Sequence, residues 1–150
     1  MDNKLLLADD EEGIRKVLTI SLMDSGYQVF TAENGLEAFR IFQRERPPIV
    51  LTDIKMPVMN GIELLQQIKS TDPETEVIMI TGHGDMDLAV KSLKYDATDF
   101  ITKPINVDVL EIALRRAVER IVTREKLKEY TRNLERLIAE KSELQSHLSS

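Results

Sequence analysis

Three observations predict an α/β fold on a doubly wound, five-stranded parallel sheet. Five short apolar runs alternate with stretches whose apolar residues recur at helical spacing, the pattern of strand–helix–strand units. Several runs, such as Ile49–Leu51 and Val77–Ile80, are continuously apolar rather than alternating, as strands buried on both faces are. Finally, chemically capable residues follow four of the runs: Asp9-Asp10, Asp53, Thr81 and Lys103. Right-handed crossovers place the carboxyl ends of parallel strands on one edge of the sheet, where ligands bind in open α/β folds.

Lys4–Ala8 is the first strand, ending in Asp9-Asp10-Glu11-Glu12. A helix follows with Ile14, Val17, Leu18 and Leu22 on its apolar face, closed by Gly26 as its C-cap. Glu12 and Lys16 form a favourable i,i+4 pair. One aspartate suffices to cap the helix; the second, with two more acids behind it, exceeds that need. Tyr27–Ala32 alternates as strand two, and Asn34-Gly35 reads as a turn. The second helix directs Leu36, Phe39 and Phe42 inward, with Ala38 and Ile41, until Pro47-Pro48 stops it.

Strand three, Ile49–Leu51, leads to Asp53, and Pro57 breaks the chain after it. An aspartate there is either a turn starter or a reactive group at the strand tip. The loop Lys55–Asn60 leads through Gly61 to a helix with Ile62, Leu64, Leu65 and Ile68 inward, ending near Thr71-Asp72-Pro73. Val77–Ile80 is strand four, followed by Thr81-Gly82-His83-Gly84-Asp85, whose glycines permit close approach of backbone to a ligand. A helix spans Met86 to Lys94, and strand five, Asp99–Thr102, stops at Lys103-Pro104.

Composition sets bounds on function. The 150 residues are 42% hydrophobic and 31% charged with no cysteine, which excludes a disulfide framework and thiolate metal sites. No apolar run approaches the roughly 20 residues needed to span a bilayer, and Met1-Asp2-Asn3-Lys4 lacks the basic start of a secretory signal. A cytoplasmic protein without membrane contact is expected. The net charge of −6 is uneven: residues 121–150 carry +1, leaving −7 on the first 120. That argues against direct nucleic-acid binding through a basic face.

The expected edge collects three carboxylates, one hydroxyl, one ammonium and glycine-flanked N–H groups. Clustered carboxylates repel one another, and a hard divalent cation relieves this; Mg²⁺ takes one or two carboxylates, waters and a phosphoryl oxygen. Lys103 offers a compact positive charge, Thr81 a hydroxyl, and an aspartate nucleophile can form an acyl phosphate. Phosphoryl transfer relies mainly on positioning and charge neutralisation. The inventory fits transfer onto Asp53.

Asp9-Asp10 after strand one, Asp53 before x-x-Met-Pro-x-Met-x-Gly, Thr81-Gly82 after strand four and Lys103-Pro104 after strand five together resemble the receiver domain of bacterial two-component response regulators. The resemblance covers about residues 1–120. It implies the flavodoxin-like fold with strand order 2-1-3-4-5. It implies that Asp53 accepts a phosphoryl group from a sensor histidine kinase or phosphotransfer protein of a phosphorelay. Asp10 and Asp53 would hold Mg²⁺ through side chains, Asp9 through water and Lys55 through its backbone carbonyl. Thr81 and Lys103 would hold phosphoryl oxygens, with the Gly82 N–H helping. Phe100 matches the aromatic switch position, where Tyr is common; lacking a hydroxyl, it cannot make an outward hydrogen bond, and core packing in strand five is the alternative reading. Lys55 and His83, each two residues past a site residue, match positions that modulate phosphoryl-group lifetime, although His83 also reads as an exposed loop residue. Such a domain is no enzyme beyond catalysing its own phosphorylation and dephosphorylation.

The last helix starts near Val107 and meets no Gly or Pro after Pro104. Leu110, Leu114, Ala117 and Ile121 share one face; Leu127, Tyr130, Leu134, Leu137, Leu144 and Leu148 then fall at a/d spacing, with Lys141 at a polar a position. The two frames differ by three residues near Arg124, a slip that locally overwinds a coiled coil. A parallel two-stranded coiled coil making a homodimer through residues 107–148 is expected, against a lone helix folding back. The expected domains are 1–120 and a helical extension, 121–150, leading to an output module absent from the chain. Other classes fit less well. A phosphohydrolase would carry an acid where Lys55 stands, a flavin carrier would not place Asp9-Asp10-Glu11-Glu12 at a phosphate, and an inactive dimerisation module would not need the full set of site residues.

Overall fold

The computed structural model describes residues 2–149; Met1, at the start of the segment read above for a secretory signal, and the terminal Ser150 lie outside the described residues. The elements run β1 (Lys4–Ala8), α1 (Glu12–Asp24), β2 (Gln28–Ala32), α2 (Gly35–Glu45), β3 (Ile49–Asp53), α3 (Gly61–Thr71), β4 (Glu76–Thr81), α4 (Met86–Lys94), β5 (Asp99–Thr102) and α5 (Val107–Ser149). The sheet has the order β2-β1-β3-β4-β5 and every pairing is parallel. Chain connectivity divides into two compact units, Met1–Ala117 and Val118–Ser150.

Register aligns the strand ends. Ala8 lies opposite Thr52, Asp53 opposite Ile80, and Thr81 opposite Thr102. Asp9, Asp53, Thr81 and Lys103 therefore sit at one edge. Every residue of β3 and β4 is buried, as their unbroken apolar runs require. Because side chains alternate across a strand, Leu6, Ala8, Val50, Val77 and Met79 join α2, α3 and α4 in one core through Phe42, Ile62, Leu65, Ile68 and Ala89. Leu5, Leu7, Leu51, Ile78 and Ile80 alternate to the other face, and α1 and the start of α5 bury Leu18, Leu22, Leu110, Leu114 and Ala117. Full burial of each such side chain contributes about 1.5–3 kcal/mol. Glu76, the first residue of β4, is fully buried and accepts from the Thr98 hydroxyl.

Four local expectations need correction. Val17 is 68% exposed: it lies one residue, about 100°, from the Leu18–Leu22 stripe, and that stripe is all α1 buries fully. Leu36 is 38% exposed, because it opens α2 roughly opposite Ala38, and Ala38, Ile41 and Phe42 supply the buried face. Asn34-Gly35 is not a turn but the start of α2. Asn34 caps it, its side chain accepting from the Glu37 N–H at 2.8 Å, and Gly35 is its first residue. Strand two starts at Gln28 rather than Tyr27, whose N–H closes α1 by donating to the Leu22 carbonyl at 3.1 Å; Ser25 is the C-cap and Gly26 follows at φ +96°.

Gly61 shows a packing constraint of another kind. A Cβ there would lie 2.0 Å from the Asp53 carbonyl oxygen. The N-terminus of α3 is pressed against the strand tip that carries Asp53, and the Gly61 N–H donates to the Ile54 carbonyl at 2.8 Å.

The second unit is helical to Ser149. Its Leu127, Tyr130, Leu134, Leu137, Leu144 and Leu148 are all exposed, a stripe with no cover within its own unit.

Gly61→Ala is expected to destabilise by more than about 2 kcal/mol, the scale of overpacking against backbone. Gly13→Ala, where a Cβ on α1 meets nothing within 4 Å, is expected to stabilise by about 0.5–1 kcal/mol. Urea unfolding of both variants checks the contrast.

Candidate functional site

Three strand tips and one loop start supply the charged groups. Asp9 follows β1 and its backbone N–H donates to the Ala32 carbonyl at 3.0 Å, which ties it to β2. Its Oδ1 accepts from the Glu11 N–H at 2.9 Å. Asp53 ends β3. Lys103 follows β5, and its backbone N–H donates to the Thr81 carbonyl at 2.8 Å. Its ammonium donates to Asp53 Oδ2 at 2.9 Å and lies 3.4 Å from both Asp9 Oδ2 and Glu11 Oε1.

Asp9, Asp10 and Asp53 offer carboxylate oxygens all within 4.8 Å of one another, two of the residues buried and Asp10 exposed. Asp9 Oδ2 is buried and, among the described residues, accepts no hydrogen bond; at 3.4 Å the Lys103 ammonium attracts it without bonding it. A buried, under-satisfied carboxylate oxygen beside two further carboxylates is a hard-cation donor set, all oxygen, open on the Asp10 side. The residues present fit Mg²⁺.

Electrostatics follow from that crowding. Burial pushes the Asp53 carboxyl above its ordinary value; the Lys103 hydrogen bond opposes this and the neighbouring Asp9 charge adds to it. Asp9 is likewise raised, by burial first, against the Glu11 N–H and Lys103. Burial works against the charge on Lys103, but the Asp53 hydrogen bond and the charges of Asp53, Asp9 and Glu11 outweigh it and hold the ammonium above its ordinary range. The site sets the carboxylates of Asp53, Asp9 and Glu11 about the Lys103 ammonium, with Asp10 beside them.

The remaining predicted residues sit around this centre. Thr81 is fully buried, and among the described residues its hydroxyl makes only a long 3.4 Å contact to the Gly82 carbonyl. Phe100 is partly buried and packs on the core cluster. His83 lies exposed on the turn between β4 and α4. The Lys55 backbone N–H helps to lower the Asp53 carboxyl, while its ammonium pairs with Asp85 Oδ1 at 2.8 Å. Two participants escaped the sequence reading, Glu11 and Asp85. Both stand at the N-cap of a helix, but neither makes a side-chain cap hydrogen bond.

In metal-free protein the raised Asp9 carboxyl means that the folded state holds this proton more tightly than the unfolded chain. The resulting stability is present at low pH and is lost as pH rises above the ordinary value of 3.8. Asp9→Asn is therefore expected to raise the Tm at pH 7 by a few degrees, or about 1 kcal/mol. The gain should shrink as pH falls towards 4, as read by calorimetry in chelator.

Comparison with known proteins agrees with this geometry. The family described as "Response regulator receiver domain" matches residues 5–115. Sporulation initiation phosphotransferase F of Bacillus subtilis is 39% identical over 116 residues, 77% of this chain and 94% of that protein. Chemotaxis protein CheY of Listeria monocytogenes is 40% identical over 117 residues, 77% of this chain and 98% of that one. The C4-dicarboxylate transport transcriptional regulatory protein DctD of Pseudomonas aeruginosa is 37% identical over 145 residues, 97% of this chain but 30% of its own length. The chain thus spans nearly all of the short relatives and under a third of the long one. A response regulator receiver domain structure from Clostridium thermocellum superposes with a TM-score of 0.77 at 36% identity, covering 80% of this chain and 97% of that one. A site of clustered aspartates and one lysine at the carboxyl edge of a 2-1-3-4-5 sheet, together with these matches, places the chain in the response regulator receiver domain family.

Proposed function

We propose that Asp53 is the phosphoacceptor of this receiver domain and that the chain acts as a switch in two-component signalling. The observation that carries the reading is the Lys103–Asp53 contact of 2.9 Å inside an aspartate cluster at the sheet edge. A phosphohistidine of a histidine kinase or phosphotransfer protein is the donor. An Asp53 carboxylate oxygen attacks phosphorus, the O–P bond of an acyl phosphate forms, the P–N bond breaks, and the leaving imidazole nitrogen takes up a proton. Lys103 holds one phosphoryl oxygen as a point charge. Thr81, whose hydroxyl makes only a long contact to the Gly82 carbonyl, turns to another, assisted by the Gly82 N–H.

Asp9, Asp10, Asp53 and the Lys55 carbonyl would hold Mg²⁺, which when bound neutralises charge on the phosphoryl oxygens. Movement of Thr81 vacates space that the Phe100 ring, partly buried against the core, fills. Lys55 and His83 flank the approach to Asp53 and set phosphoryl-group lifetime. Apart from its own phosphorylation and dephosphorylation the chain catalyses no reaction. The groove lined by Ile14, Val17, Leu18, Pro104 and Ile105 beside Lys103 suits an apolar partner face next to the reactive edge.

The exposed leucine stripe of the second unit supports a homodimer through residues 107–148 by a parallel coiled coil, which relays the change at Asp53 onward. Among the described residues no helix is long and apolar enough to cross a membrane, and with the acidic balance of the chain this supports a cytoplasmic role without direct nucleic-acid contact.

Incubation with Mg²⁺ and acetyl phosphate is expected to add one phosphoryl group to the wild type by intact mass. Asp53→Asn should take none, and chelation should abolish the adduct; a full-yield adduct on Asp53→Asn would move the site elsewhere. Sedimentation of the full chain is expected to show a dimer, and Lys141→Leu should tighten it at least tenfold by replacing a core charge. A monomer at high concentration for both defeats the dimer.

A further inference from the structure

The ion pair between Lys55 and Asp85 joins the two loops that frame the candidate site. Lys55 Nζ lies 2.8 Å from Asp85 Oδ1, with the Asp85 side chain 8% exposed and that of Lys55 70%. Asp85 stands at the N-cap of α4, where an aspartate ordinarily accepts from a helix N–H, yet its carboxylate makes no such bond. Asn34 and Asn60, at the same position of α2 and α3, both cap. The Asp85 carboxylate is thus withheld from its helix and turned to a lysine on another loop. A nearly buried carboxylate needs a charge partner, and Lys55 supplies it.

Lys55 is placed to matter. It lies two residues past Asp53, so its side chain springs from the loop that leaves the site. Asp85 closes the turn that begins at Thr81, its N–H donating to the Gly82 carbonyl at 3.3 Å. The pair therefore spans from the loop after β3 to the loop after β4. Asp53 is bonded by Lys103, and Lys55 is committed to Asp85.

We propose that Asp85 is a positioning residue that withholds the Lys55 ammonium from the phosphoryl site and so sets how strongly an anionic phosphodonor is drawn to Asp53. This rests on Asp53 being the phosphoacceptor. A donor or an Asp53 phosphoryl group competes with Asp85 for the same cation. When Lys55 leaves Asp85, the tie between the loops opens and the Thr81–Asp85 turn is released at the moment Thr81 must move. The lifetime role of Lys55 is then shared with Asp85, four residues past Thr81, rather than with His83 alone.

The test is Mg²⁺-dependent phosphorylation by acetyl phosphate in the full chain, reading half-saturating donor concentration and maximal rate separately. Asp85→Asn keeps the shape of the side chain and frees the lysine; the half-saturating concentration should fall about fivefold, the scale of a partly exposed ion pair. The maximal rate should change little, and the gain should shrink as salt rises. In a Lys55→Ala background Asp85→Asn should have no effect, and with Lys55→Arg, which keeps the cation, the effect should return. An equal effect of Asp85→Asn with and without Lys55, or none in the wild type, overturns the proposal while leaving Asp53 as acceptor. A wild type that takes no phosphoryl group overturns both.

Discussion

The contact between the Lys103 ammonium and the Asp53 carboxylate, 2.9 Å long, is the constraint on which the rest of the arrangement depends. Two carboxylates, those of Asp9 and Asp53, are buried at neighbouring strand ends, and burial of unpaired charge is costly. The compensating charge arrives from β5, two strands from β3. That is possible only because β3, β4 and β5 pair in parallel with their carboxyl ends level, and because the Lys103 N–H is pinned to the Thr81 carbonyl. The apolar sheet is thus the support that carries a polar cluster at its edge.

One ammonium does not balance three carboxylates. Burial raises the carboxyl groups of Asp9 and Asp53, with the neighbouring carboxylates adding to it, and the orphaned Asp9 oxygen marks where a further partner is needed. An oxygen-seeking cation and a phosphoryl group are complementary additions, one to the excess negative charge and the other to the lysine. Steric crowding at the same strand tip explains why Gly61 is glycine. The N-terminus of α3 lies against the Asp53 carbonyl with no space for a Cβ, so the loop between them is held tightly under the strand tip.

The two units of the chain differ in how they satisfy apolar surface. In the first, helices cover both sheet faces and the side chains of the central strands β3 and β4 are all buried. In the second, a leucine stripe stays exposed along one helix, which a single amphipathic helix cannot resolve by itself in water.

Much of this was legible in the sequence. Buried parallel strands are continuous apolar runs, helices repeat near every third or fourth residue, and the chain order of Asp9, Asp53, Thr81 and Lys103 along successive strand ends puts them on one edge once crossovers are right-handed. What stayed hidden was relational. Leu36 and Val17 looked inward by spacing, but the width of the buried stripe depends on the neighbour that covers it. Gly35 looked like a turn residue, whereas close approach to the Met59 carbonyl is what requires it. Nothing in the order of residues singled out Glu11 or Asp85, which the fold sets beside Lys103 and Lys55. The sequence by itself determined the elements, their order and the chemical inventory of the edge, because those follow from local periodicity and chain direction. Only the tertiary structure decided which acid meets which base, because each of those pairs joins residues far apart in the chain, and their distances depend on how loops of fixed length close over the sheet.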